Sequence, residues 1–353
     1  MKKKIISYAV CLFGLICILS PTFAQNNSFF PKLFIDGLQN YFYVYYSRSE
    51  TGEAAVSQEQ VLKDIKEMTL KYCDGIDKEG LAGKDNLDDL TNFLDKYLNN
   101  YGKSINIFTV EGSSIVNCWL GDLAEEKIEK RNIWNKEIEF YSKGIDNLNI
   151  RDFTYYLNKG KESLQVGTRG EVIYYNLESY SIHANTIWDF FIDRIKENRY
   201  KRYDPSRVNR LRRRLYYRIW GGLYSASIKE KENLNDAKAQ FIDKVAAVLK
   251  ENSIFHEAGH VFVNRYLKLK DSSEEEMFAF LTELRYGPMP YDSLELIISA
   301  GYQSSMDNYK LAGREIISYF ASYIKRKEDG EGLSRIPVDR IHSICDDIYK
   351  QRF

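Results

Sequence analysis

The spacing of apolar and polar positions predicts helices over most of the chain. From Ser57 to Tyr72, Val61, Ile65, Met68 and Tyr72 recur at helical intervals, and Ser57 followed by Gln60 suits a capping box. Asn86 to Tyr101 repeats the pattern through Leu87, Leu90, Phe93, Leu94, Tyr97 and Leu98, and Leu123 to Tyr141 reads as a charged amphipathic helix. Two stretches favour strands instead. These are Ser104 to Val110 (SINIFTV), stopped near Gly112, and Glu171 to Leu177 (EVIYYNL), after a turn from Gly167 to Gly170. Asp152 to Gln165 fits helix or irregular chain.

From Leu234 the helical pattern continues to Leu269, where Asp271-Ser272-Ser273 breaks it and offers caps for a new helix from Glu274 to Tyr286. Gly287-Pro288 ends that helix. Further helices are expected around Ser293 to Ala300, Ser305 to Lys327 and Val338 to Gln351. The fold class predicted is mainly α with a small β component (α+β). Its divisions are a leader over 1–24, a mostly helical region over 25–233 and a helical region over 234–353. The last two could form one domain, since no repeat or low-complexity linker separates them.

The leader is a separate matter. Lys2, Lys3 and Lys4 precede an apolar run from Ile5 to Leu19, then Pro21 and the small-residue end at Ala24. This is the layout of a secretory signal peptide, too short in its apolar part for a span of roughly 20 residues. An exported, periplasmic or extracellular protein is expected, with no stable membrane span after cleavage. Removing 24 of 353 residues leaves 329 and takes away three lysines, which moves the formal charge from +0 to −3. That balance gives no reason to expect a nucleic-acid partner. Cys73, Cys118 and Cys345 remain; one disulfide is possible, but they lack the paired spacing of a cysteine zinc site.

Two charged stretches invite functional readings. Residues 74–89 (DGIDKEGLAGKDNLDD) are acidic, yet they lack the alternating oxygen ligands and final glutamate of a calcium loop, and read as a solvated connection. Residues 199–220 (RYKRYDPSRVNRLRRRLYYRIW) are strongly basic. Val208, Leu211, Leu215 and Ile219 recur at helical spacing there, so a helix with one solvated basic face is favoured over an anion-binding surface.

The stretch richest in chemistry is IFHEAGHVF, residues 254–262. Residues four apart share a helix face, so His256 and His260 can place two imidazole nitrogens about 2.0–2.1 Å from one zinc ion. Glu257 points slightly aside, where it can act as general base toward a metal-activated water. A chance HExxH in this composition has an expected count of about 0.003. Between Ser253 and Val263 the only charged side chain besides the histidines is Glu257. Burying such groups unpaired costs several kcal/mol, and a metal removes that objection.

His256-Glu257-Ala258-Gly259-His260, flanked by uncharged residues, resembles the active-site helix of the zincin metallopeptidases. The resemblance covers about residues 245–290. It implies Zn2+ held by His256 and His260, Glu257 as the base, a peptide or protein substrate, and an edge strand above the helix that EVIYYNL or SINIFTV would supply. Val263 and Tyr266 stand where the metzincins carry glycine and a third histidine, which removes that class. A gluzincin-like third ligand from the next helix fits better. Glu276 followed by Ala279 resembles the E-x-x-A start of such helices and is preferred. Glu283 is the alternative ligand, otherwise orienting a histidine, and Asp271 is the aspzincin-like option. Ala279 would allow close approach to the HExxH helix, and Glu274 and Glu275 read as acids favoured at a helix N-terminus. His183, His342, Tyr286 and Tyr302 are candidates for stabilising an oxyanion. The reading from another functional class is an exported helical binding or surface protein with a non-catalytic zinc site.

Overall fold

The computed structural model describes residues 30–51, 56–73, 75–109, 114–157, 165–197, 207–303, 307–323 and 333–353. The leader read at 1–24 lies outside them. Among the described residues no helix is long and apolar enough to cross a membrane. The chain divides into two compact units, residues 1–123 with 145–160 and residues 124–144 with 161–353. The junction read at 233–234 falls inside the second, where Asn233 caps a helix.

The first unit holds helices α1 (Phe30–Glu50), α2 (Gln58–Tyr72), α3 (Lys78–Ala82), α4 (Leu87–Asn99) and α5 (Phe153–Leu157). It also holds strand β1 (Lys103–Thr109), paired antiparallel with the start of β2 (Val116–Ile133). The caps match the sequence chemistry. Ser57 accepts from the Gln60 amide, although the Gln60 side chain turns to Asp64 instead of closing the box. The acidic stretch after residue 74 is a run of caps around the short α3, with Asp77 accepting from Gly80 and Asn86 from Asp89. Leu90, Leu94 and Leu98 of α4 share a core with Ile105 and Ile107 of β1.

The second unit corrects one expectation outright. Leu123 to Tyr141 is not a helix: β2 runs on to Ile133, turns at Trp134 and Asn135, and returns as β3 (Lys136–Ile150). Both turn residues have positive φ, 48° and 63°, the mirror-image geometry that matches strand twist. Ile138 and Phe140 are buried two residues apart, the period of a strand. Strands β4 (Val166–Arg169) and β5 (Val172–Asn176) complete this part of the sheet in the order β2-β3-β5-β4. Gly167, read as part of a turn, lies within β4, and only Gly170 and Glu171 make the turn.

The remaining helices are α6 (Leu177–Glu197), α7 (Arg207–Glu230), α8 (Leu234–Phe262), α9 (Ser272–Tyr286), α10 (Pro290–Gln303), α11 (Asp307–Tyr323) and α12 (Val338–Arg352). The C-terminal part of the basic run forms α7 with Ile219 and Trp220 buried, while residues 199–206 lie outside the described residues. Trp188 and Phe191 of α6 pack on Phe241 of α8, which fixes the N-terminal half of that long helix. A single π turn, Val263–Leu267, ends it, closed by Lys268 in the left-handed region. Asp271 then caps α9, which crosses back over α8. A Cβ built on Gly259 would lie 2.7 Å from the Ala279 Cα, so the two backbones touch where the sequence has glycine and alanine. Cys73, Cys118 and Cys345 are buried and form no disulfide among the described residues.

Candidate functional site

The HEAGH residues occupy the last two turns of α8. His256, Glu257 and His260 each bring a ligand atom within 4.8 Å of the others. His256 and Glu257 are buried, and the His256 ring stands edge-on to Phe280 at 5.0 Å. The helix period explains the shared direction of the two imidazoles, and the Gly259–Ala279 contact explains how α9 comes near enough to meet them.

Glu276 lies between the histidines. Its Oε2 is 3.4 Å from His256 Nε2 and its Oε1 is 3.8 Å from His260 Nε2. The far side of each ring meets another glutamate. His256 Nδ1 is 3.3 Å from Glu283 Oε2, and His260 Nδ1 lies 3.2 Å from Glu275 Oε1, to which it can donate. The carboxylates are themselves held: Ser293 donates to Glu283 at 3.0 Å, and Tyr309 of α11 hydrogen-bonds Glu276. Thr168 of β4 donates to Glu257 Oε2.

Despite these short distances, His256 Nδ1 and Nε2, Glu276 Oε2 and Glu283 Oε2 are buried with no aligned hydrogen-bond partner. Orphaned buried polar atoms are uncommon in native proteins and need an explanation. A tetrahedral ion with bonds near 2.0–2.2 Å would separate its ligand atoms by about 3.3–3.5 Å. The His256–Glu276 spacing, 3.4 Å, matches that value, and the His260–Glu276 spacing, 3.8 Å, is somewhat wider. The set also holds four carboxylates (Glu257, Glu275, Glu276, Glu283) against two imidazoles, an excess of negative charge that a buried dication would balance. The donors therefore fit a zinc-like ion: nitrogen and oxygen atoms, few in number, with an outer layer orienting each ring.

The electrostatics follow the same arrangement. Burial would lower the pKa of His256, but Glu276 and Glu283 outweigh it and hold the group well above its ordinary value. His260 is likewise raised against burial, by Glu275, Glu257 and Glu276. Burial pushes Glu276 upward, yet His256, His260 and Tyr309 leave it below the usual carboxylate range.

The other candidates fall elsewhere. Asp271 is the exposed N-cap of α9, accepting from the amides of Ser273 and Glu274. Tyr286 accepts from the Trp134 amide, Tyr302 is 44% exposed, and the His183 ring pairs with Gln165. His342 lies on α12, its pKa lowered by burial and Arg285. Sequence reasoning missed Glu275, Thr168 and Tyr309. Glu275 carried a signal, being adjacent to a candidate ligand, but Thr168 and Tyr309 arrive from other elements. No family model matches the chain, and no curated protein or solved structure does.

Proposed function

We propose that this chain is an exported zinc-dependent metallopeptidase. The observation that carries the reading is the convergence of His256 Nε2, His260 Nε2 and the Glu276 carboxylate, with buried atoms among them that have no hydrogen-bond partner. His256, His260 and Glu276 would hold the ion, a His2Glu set that leaves a position for water. Glu283 and Glu275 would orient the rings from behind. The basic, then apolar leader at residues 1–24 supports export.

When bound, zinc lowers the pKa of a water and polarises the scissile carbonyl. Glu257, the one carboxylate of the HEAGH motif, takes the water proton as the oxygen bonds to the carbonyl carbon. It then passes that proton to the departing nitrogen as the C–N bond breaks, leaving a carboxylic acid and an amine. The strand suited to align a peptide is β4, because β5 is paired on both sides by β3 and β4. Its outer edge, unpaired among the described residues, can accept an extended chain through main-chain hydrogen bonds.

The test is Glu257→Gln in zinc-reconstituted protein assayed on a peptide library. Zinc content should match the unaltered chain while cleavage falls by at least about 10²–10⁴-fold, the range of a general base. Cleavage at the unaltered rate would remove Glu257 from the mechanism. Zinc binding without any cleavage by the unaltered chain would favour a binding protein with a non-catalytic ion.

A further inference from the structure

β4 is only four residues long, but its register is tightly set. Gly170, at φ +60°, makes the two-residue turn into β5, a conformation that costs glycine little. The pairing then places Thr168 opposite Ile173, which is fully buried. Val166, two residues away on the same face, packs on the core of the second unit. A Cβ at Gly167, on the alternate face, would meet open space. Alternation therefore directs Thr168 inward, toward α8, and its hydroxyl donates to Glu257 Oε2.

From this geometry we infer that Thr168 is a positioning residue for Glu257, so that the strand suited to bear the substrate also sets the direction of the base. The inference rests on the metallopeptidase reading. A hydroxyl carries one proton to donate, and here it goes to one oxygen of the carboxylate. That bond fixes rotation of the carboxylate about its own axis, leaving Oε1 as the oxygen aimed at the water. Threonine suits the task because its branched Cβ restricts χ1, so the hydroxyl direction follows the strand. A peptide added to the β4 edge would stiffen the strand, and the base with it. The two events, docking and orientation of Glu257, become one.

The experiment has two arms. In zinc-loaded protein, Thr168→Val should lower kcat about tenfold or more with KM and zinc content little changed, and Thr168→Ser should recover most of the loss. That size follows from a hydrogen bond to a charged group, about 1.5–3 kcal/mol, at 1.4 kcal/mol per tenfold. In metal-free protein, amide exchange over residues 165–176 should quicken about tenfold in Thr168→Val, but less than about twofold when Glu257→Ala is already present. Equal acceleration in both backgrounds, or an unaltered kcat in Thr168→Val, would overturn the inference. If the unaltered chain cleaves no peptide, the metallopeptidase reading fails by itself, and the exchange cycle still decides whether Thr168 holds Glu257.

Discussion

Each unit buries carboxylates, and they end differently. In the first, Asp95 sits under the start of β1 and receives two donors, the Ser104 hydroxyl at 2.6 Å and the Ile105 amide at 3.0 Å. Asp152 similarly receives the Trp119 indole at 3.0 Å. In the second, Glu276 and Glu283 face His256 at 3.3–3.4 Å, and none of the facing atoms is aligned as a hydrogen bond. Isolated atoms lacking a partner also occur in the first unit, at Tyr97 and Asn149, whereas these four form two facing pairs on opposite sides of the His256 ring. A carboxylate that closes its own hydrogen bonds supports a fold. In the proposed site the pair on the Nε2 side would share a metal, and the pair on the Nδ1 side would orient the ring.

The largest expected effect separates these two kinds directly. Protein stripped with chelator and given zinc should hold about one ion per chain, and His256→Ala or His260→Ala should hold none. Glu276→Gln should weaken the competition-measured affinity well beyond the 10–100-fold expected for an orienting partner such as Glu283. Asp271→Asn should leave it unchanged, with stability little altered, because asparagine also caps a helix N-terminus. Greater damage from Glu283→Gln than from Glu276→Gln would exchange the two roles.

Asp95 sharpens the contrast from the other side. Asp95→Ala strands two buried donors and should cost about 1–3 kcal/mol in chemical denaturation, with zinc uptake unaltered. A loss of zinc in that variant would erase the distinction between the two kinds of buried acid.

A third carboxylate gives the smallest effect. Glu129 of β2 is buried, and burial raises its pKa, but Lys127, Ser142 and Arg131 outweigh this and hold it below 4.5. A depressed acid stabilises the fold above its unfolded value and loses that contribution as pH falls through the folded one. Glu129→Gln should therefore be less stable than the unaltered chain at pH 7, by up to about 1 kcal/mol. The gap should close below pH 4.5 in pH-dependent melts. A gap that stays constant with pH would mean that its cations contribute nothing through charge.

Much of this was legible in the chain itself, for reasons of range. The spacing of His256 and His260, the caps at Ser57, Asn86 and Asp271, and the helices they begin depend on neighbours within four residues. The preference for Glu276 came from its place on the following helix, and the structure brings it to both histidines. The β2–β3 hairpin was not legible. Its charges pair across strands, Lys130 with Glu139 and Lys143 with Glu126, and the two-residue apolar period is confined to Ile138 and Phe140 beside a charged run from Glu125 to Arg131. Its turn uses Trp134-Asn135, where an Asn-Gly would have announced a hairpin. Glu275, Thr168 and Tyr309 act across α9, β4 and α11, and only packing reveals them.

If the site holds a metal as proposed, the contact at Gly259 bears on which ions would fit it. Side chains relax by changing rotamer, but Gly259 has none and Ala279 meets it through its Cα, so the two backbones touch at this point. The spacing of the helices that carry the imidazoles and Glu276 is thus held by backbone there. An ion with bonds of about 2.0–2.2 Å enters with small torsional adjustments. One that needs about 2.3–2.6 Å, as calcium does, would call for larger side-chain rearrangement, because α9 is also held through Tyr286, whose hydroxyl accepts from the Trp134 amide. In the proposed site, discrimination by ionic radius would then draw on a contact of backbone against backbone, at a residue that touches no ion.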